Sequence, residues 1–147
     1  MAEYADESVF PLPRAQLWQF IEQHTDPAIV VRIHPDIVSQ SVLSRSDREV
    51  VVDRGIRFRK KVLHSKWKLI ALPPDRYRWE ILDGEGPLLP GSHLENHYSD
   101  DPGGTRIVSR GEVRVRSVPG FLTKRVLRTV FGDIDQQDRA FLQPALR

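Results

Sequence analysis

The sequence predicts an α+β fold, a curved antiparallel sheet of about seven strands wrapped around a long C-terminal helix, with two short helices after the first strand. Three observations predict it. Two segments alternate cleanly: Tyr77, Trp79 and Ile81 oppose Arg76, Arg78 and Glu80, and Ile107, Ser109, Gly111, Val113 and Val115 oppose Arg106, Arg110, Glu112, Arg114 and Arg116. A period of two with one wet face is the pattern of an antiparallel sheet covered on one side. Chain breakers recur at Ser46-Asp47, Pro73-Pro74-Asp75, 83–87 (Asp-Gly-Glu-Gly-Pro) and 101–104 (Asp-Pro-Gly-Gly), dividing the segment from Ile37 to Val115 into strands. Beyond it, Val126, Val130, Ile134 and Phe141 form one helical stripe with Leu127 and Phe131 beside it.

In chain order, the first strand is predicted from about Glu7 to Leu12, ending at Pro11 and Pro13. Pro13 suits a first helical turn, where its missing N–H has no partner to lose. The first helix then runs from about Arg14 to His24, with Leu17, Phe20, Ile21 and Trp18 on its apolar face. Asp26-Pro27 supplies a cap and a first-turn proline for a second short helix, which Pro35 ends. The stretch from Arg57 to Leu72 alternates less cleanly. If Leu63, Trp67, Leu69 and Ala71 point inward, then Arg59 and Lys61 lie beyond the covered zone or a bulge resets the phase. Ser117 is a plausible cap ahead of Pro119-Gly120, and the last and longest helix extends to about Leu142, with Thr123 and Gln137 as polar members of its stripe.

At 147 residues, without repeats or linkers, the chain reads as a single domain over 1–147. The 22 basic residues nearly match the 20 acidic ones, for a net charge of +2, which does not mark a nucleic-acid binder. There is no cysteine, so disulfides, thiolate metal sites and cysteine nucleophiles are excluded. The acidic start does not read as a signal peptide, and no apolar run approaches the roughly 20 residues that span a bilayer. A cytoplasmic protein without a transmembrane segment is expected.

The element order of strand, two helices, about six strands and long helix resembles the START-like, or SRPBCC, superfamily, which includes polyketide cyclases, coenzyme Q-binding proteins and plant pollen allergens of the helix-grip type. The segments that carry the resemblance are ESVFPLPRAQLWQFIEQHTDP, PPDRYRWEILDGEG and GGTRIVSRGEVRV followed by the terminal helix. The resemblance spans nearly the whole chain and rests on element order rather than an invariant motif. It implies an internal cavity between sheet and helix, and an apolar or amphipathic small molecule, such as a lipid, quinone or polyketide-like compound, as the partner. It also leaves open a cyclase, dehydratase or lyase acting on such a compound, or an interaction factor whose cavity is filled.

The residues expected to face that cavity are Trp67, Leu69, Tyr77, Trp79, Ile81, Leu94, Asn96, Tyr98, Ile107, Ser109, Val130, Phe131 and Ile134. The apolar members serve equally well as plain core. Asn96, Tyr98 and Ser109 carry more information, because a buried polar group needs a partner, which is either a ligand or one another. No metal or cofactor is expected. His24 and His34 only flank the second helix, His64 stands on a strand, and His93 and His97 lie four apart on a strand, roughly 13 Å from each other. With Leu94, Asn96 and Tyr98 facing inward, His93, Glu95 and His97 face solvent. No Gly-x-Ser-x-Gly elbow is present, and the glycines read as hairpin turns. The last helix opens with Lys124, Arg125 and Arg128 and continues with Asp133, Asp135 and Asp138, against the preference of the helix dipole. That basic group is a candidate for peripheral contact with an anionic membrane, or a solvated face with local pairs such as Asp135–Arg139.

Overall fold

A computed structural model describes residues 2–58 and 60–142, so Arg59 lies outside the described residues, as do the side chains of Thr123, Lys124, Val130 and Asp133 on the last helix. The elements are β1 (Ala2–Phe10), α1 (Arg14–Glu22), a 3-10 turn (Gln23–Thr25), α2 (Pro27–Ile33), β2 (Ile37–Arg45), β3 (Glu49–Phe58), β4 (Lys61–Leu72), β5 (Arg76–Gly84), β6 (His93–Asp101), β7 (Gly104–Val113) and α3 (Gly120–Leu142). The strands form one antiparallel sheet in the order β1-β7-β6-β5-β4-β3-β2. Successive hairpins thus build the sheet from β2 to β7, and β1 closes it beside β7. The connection from β1 to β2 carries the two short helices across one end.

The first strand starts at Ala2, ahead of the expected Glu7, because its whole length has a partner: Ala2 to Phe10 run opposite Val113 to Thr105. It stops at Phe10, and the Leu12 N–H turns back onto the Phe10 carbonyl at 2.8 Å. Asp26 caps α2 as expected, its Oδ1 accepting from the Ala28 N–H at 2.9 Å. Arg57 to Leu72 is not one run. Lys60, with φ +67°, turns the chain between β3 and β4, and Lys61 is exposed at the hairpin end while Ser65, Trp67 and Leu69 are buried. The alternation along β4 therefore needs no reset. The bulge lies on β5, where the pairing passes from Asp83–Lys66 to Ile81–Trp67 and leaves out Leu82, which is exposed. Ser117, expected as a cap, stands three residues ahead of the first residue of α3. It has φ +64° in the approach to the helix, and Val115 forms a lone bridge with Leu88 beyond the end of β7.

Two apolar clusters hold α1, α2 and α3 on the concave face. The larger joins Phe10, Leu12, Leu17, Phe20 and Ile21 to Val50, Val52, Trp67 and Leu69 of the sheet, and the smaller joins Tyr4, Leu94 and Val113 to Leu127 of α3. Leu127 is fully buried, whereas Ile134 on the same helix is 37% exposed. Removing the Leu127 side chain takes away its packing on Tyr4, Leu94 and Val113 and widens the space beside it, so Leu127→Ala is expected to cost about 2–5 kcal/mol. Ile134→Ala is expected to stay within about 0.5–1 kcal/mol, near the range of surface substitutions. Urea denaturation distinguishes the two, and equal losses would place both side chains in the core.

Candidate functional site

Between the concave face of the sheet and α3 lies a cavity of about 770 Å³. Of the residues expected to face it, Trp67, Tyr77, Trp79, Asn96, Tyr98 and Ile107 line it from the sheet, and Phe131 and Ile134 from α3. Leu69, Ile81 and Leu94 are instead buried in the apolar clusters. Ser109 stands behind Asn96, donating to its Oδ1 at 2.6 Å. Val130 is on α3, with its side chain outside the described residues. On the outer face His97 meets Glu95 at 3.2 Å, and both stay accessible.

The same wall holds charged and polar groups that the alternation of β5 and β7 does not reveal. Arg54 lines the cavity from β3 and is only 7% exposed. Its Nε donates to Gln40 Oε1 at 2.6 Å, one Nη reaches the His24 carbonyl at 3.5 Å, and its guanidinium carbon sits 4.8 Å above the Trp67 ring. Gln40 in turn donates to the His24 carbonyl at 3.0 Å. No carboxylate among the described residues forms an ion pair with Arg54. The indole N–H of Trp67 is buried beneath it without a hydrogen-bond partner among those residues.

At the helical end His24, His34 and Asp138 line the cavity together. His24 follows α1, His34 follows α2 and Asp138 comes from the last turns of α3, so three separate elements deliver them. His34 Nε2 is 3.1 Å from Asp138 Oδ1, His24 Nε2 is 3.5 Å from it, and the two imidazole nitrogens are 3.4 Å apart.

Solved structures share this architecture. Ara h 8.0201 superposes with a TM-score of 0.76 at 17% identity, covering 97% of this chain and 98% of its own. A START superfamily protein from Mycobacterium smegmatis superposes with a TM-score of 0.76 at 10% identity, covering 97% and 98%. The Zhui aromatase/cyclase from a Streptomyces species superposes with a TM-score of 0.72 at 11% identity, covering 99% and 93%. The chain has the START-like helix-grip fold. At these identities the likeness fixes the fold alone, and no family model or curated protein matches the sequence.

Burial sets the electrostatics of the START-like cavity. It lowers the pKa of Arg54, and it raises those of the Tyr77 and Tyr98 hydroxyls, which therefore stay protonated at neutral pH. Burial pushes the His34 imidazole down, but the Asp138 carboxylate and Gln137 outweigh it, and His34 ends above its ordinary value. Burial likewise pushes Asp138 up, and the two imidazoles outweigh it, holding the carboxyl below its usual range.

Two of these groups had a signal in the sequence. Arg54 continues the inward phase of Val50 and Val52 on β3, and Asp138 continues the spacing of Leu127, Phe131 and Ile134 on α3. A charge in an apolar phase is the mark of a buried polar site. The histidines carry no such mark, because the turn at Asp26-Pro27 and the whole of α2 separate them. Of the basic group on α3, Arg125 and Arg128 are exposed, and Asp135 pairs locally with Arg139 at 2.8 Å. No helix among the described residues is long and apolar enough to cross a membrane.

Proposed function

We propose that this protein binds an amphipathic small molecule, a lipid-, quinone- or polyketide-like compound, with its apolar body against Trp67, Trp79 and Phe131 and its anionic or carbonyl end at Arg54. The observation that carries the reading is the buried guanidinium in the cavity wall without a carboxylate partner among the described residues. An uncompensated buried charge costs several kcal/mol, only partly offset by the indole face beneath it at roughly 2 kcal/mol. A ligand acceptor that pairs with Arg54 recovers that cost on binding. The cavity volume falls within the roughly 300–1,000 Å³ usual for small-molecule sites, which disfavours an interaction factor with a filled interior.

The test is a titration of long-chain and aromatic carboxylates against their methyl esters, matched in apolar surface. The acids are expected to bind at least about tenfold tighter, the equivalent of one charge-assisted hydrogen bond. Absence of binding, or equal affinity for acid and ester, would sink the reading. Tryptophan emission reports occupancy: the Trp67 and Trp79 rings stand 5.1 Å apart in the cavity wall, while Trp18 bonds Glu22 on α1. Ligand is expected to change the emission of the parent strongly, and that of a Trp67→Phe, Trp79→Phe double variant far less. A full response in the double variant would move the ligand away from this wall. Tyr98→Phe is expected to keep the fold and to weaken only ligands that bond its hydroxyl.

A second reading, a cyclase- or dehydratase-type enzyme acting on such a ligand, is supported by two imidazoles and a carboxylate in the same cavity wall as Tyr98. Recovery of the ligand chemically altered after incubation, rather than unchanged, decides for it.

A further inference from the structure

We propose that His24, His34 and Asp138 form a site for one divalent transition-metal cation, zinc or a neighbour of the first row, with an open coordination face toward the cavity. The inference goes beyond ligand binding and does not depend on it.

Distances make the first argument. Ligand atoms held about 2.1 Å from one cation at angles between 90° and the tetrahedral value stand about 3.0 to 3.4 Å from one another. The three donor atoms are separated by 3.1, 3.4 and 3.5 Å. They already occupy the corners of such a coordination face, and no other side chain among the described residues forms a comparable group with them.

The outer partners make the second. The His24 Nδ1 donates to the Phe20 carbonyl at 3.1 Å, and the His34 Nδ1 donates to Gln137 Oε1 at 2.6 Å. In the neutral rings each bond places the proton on Nδ1 and leaves the Nε2 lone pair free, the arrangement in which metal-binding histidines are held. With both rings neutral, two imidazole lone pairs and a carboxylate oxygen converge on one point. Asp138 Oδ1 is buried and receives no aligned hydrogen bond from any described residue. Positive charge among the three stabilises them together, and a cation at their centre, taking the place of a proton on His34, meets all three at once.

The donor set indicates which cation. Two imidazoles with one carboxylate and no thiolate suit zinc, iron, cobalt, nickel or manganese, while calcium and magnesium favour sites built of oxygen. Three protein ligands leave at least one position open, as in sites that hold water or substrate. All three residues line the cavity, and the His24 carbonyl that Arg54 and Gln40 bond belongs to the same residue as one ligand. A ligand oxygen entering beside Arg54 therefore has the open position within the same end of the cavity.

The experiment uses the full chain, stripped of metal by chelation and titrated with zinc chloride in a calorimeter and with cobalt chloride in a visible spectrophotometer. The expected result is one equivalent of zinc bound, with micromolar or tighter affinity, visible cobalt bands of a low-symmetry site, and a raised melting temperature. Asp138→Asn and His34→Gln are each expected to weaken zinc by about 100-fold or more, at the upper end of losses seen for residues supporting metal sites. His64→Gln, which alters an exposed histidine on β4 paired with Asp53, is expected to change nothing. If either cavity variant fails to fold, the imidazole nitrogen shifts of the parent decide: those of His24 and His34 move on zinc addition, and those of His93 and His97 do not. Absence of saturable zinc binding, unmoved His24 and His34 signals, or folded cavity variants that bind zinc like the parent would overturn the proposal. None of these readouts involves an organic ligand, so failure here leaves the role of Arg54 to its own test.

Discussion

Replacing Arg54 by Met is expected to lower affinity for a carboxylate ligand by about 10- to 100-fold while leaving the folded protein close to its parent stability. The first half follows from charge-assisted hydrogen bonds in a dry site, worth roughly 1.5–3 kcal/mol. The second half follows from opposing terms. The substitution removes a buried charge whose desolvation opposes folding by several kcal/mol, and Met fills much of the same volume. Against this, the contact with the Trp67 face at 4.8 Å is lost, at roughly 2 kcal/mol. Gln40 Oε1 also loses its donor, at about 1–3 kcal/mol. The terms cancel to within about 2 kcal/mol, where a Met in place of a structural arginine would be far more damaging. Calorimetry with a fatty acid and its methyl ester, beside urea denaturation, reads both halves. The acid is expected to weaken and the ester to bind as before. Unchanged affinity for the acid with a loss of stability above about 3 kcal/mol would make Arg54 a strut of the helical end rather than a ligand anchor.

Most of the sheet is legible in the sequence because β7, and β5 as far as Ile81, keep one phase and hairpin residues punctuate the chain between them. The beginning of β1 is not, because an edge strand needs few inward apolar residues, and among its described side chains Tyr4 and Phe10 are the buried ones. The β3–β4 hairpin hides for another reason: Lys60 takes the left-handed backbone that glycine or asparagine usually signals. Within the site, the aromatic wall of Trp67, Tyr77, Trp79 and Tyr98 follows from alternation alone. Its separation from the packed Leu69, Ile81 and Leu94 does not, since both sets point to the concave side and the packing of α1, α2 and α3 decides which of them stay uncovered. His24 and His34 meet because each follows one of two successive short helices whose ends come together, and α3 brings Asp138 beside both. That is a tertiary event with no period in the sequence.

Gly111→Ala is expected to be among the most damaging single-methyl changes in the protein, at about 3 kcal/mol and a fall of roughly 10 °C in the melting midpoint. Gly111 sits on β7 opposite Leu94 of β6 and Tyr4 of β1. A Cβ built there would lie 2.1 Å from the His93 carbonyl oxygen and 2.9 Å from both the His93 carbonyl carbon and the Leu94 Cα. These are backbone atoms of a strand paired on both sides, with β5 and with β7, so β6 has no free edge toward which to retreat. Relief requires β6 and β7 to part locally, which breaks ladder hydrogen bonds and disturbs the cluster of Tyr4, Leu94, Val113 and Leu127 that anchors α3. The comparison is Gly103→Ala in the exposed β6–β7 turn, where the nearest atoms to a new Cβ are side-chain atoms at 3.4 Å. That change is expected to leave the midpoint within about 2 °C of the parent. Thermal melts of the two variants therefore measure how closely the strands approach at Gly111, and a shared midpoint would mean that β6 and β7 stand farther apart than their register implies.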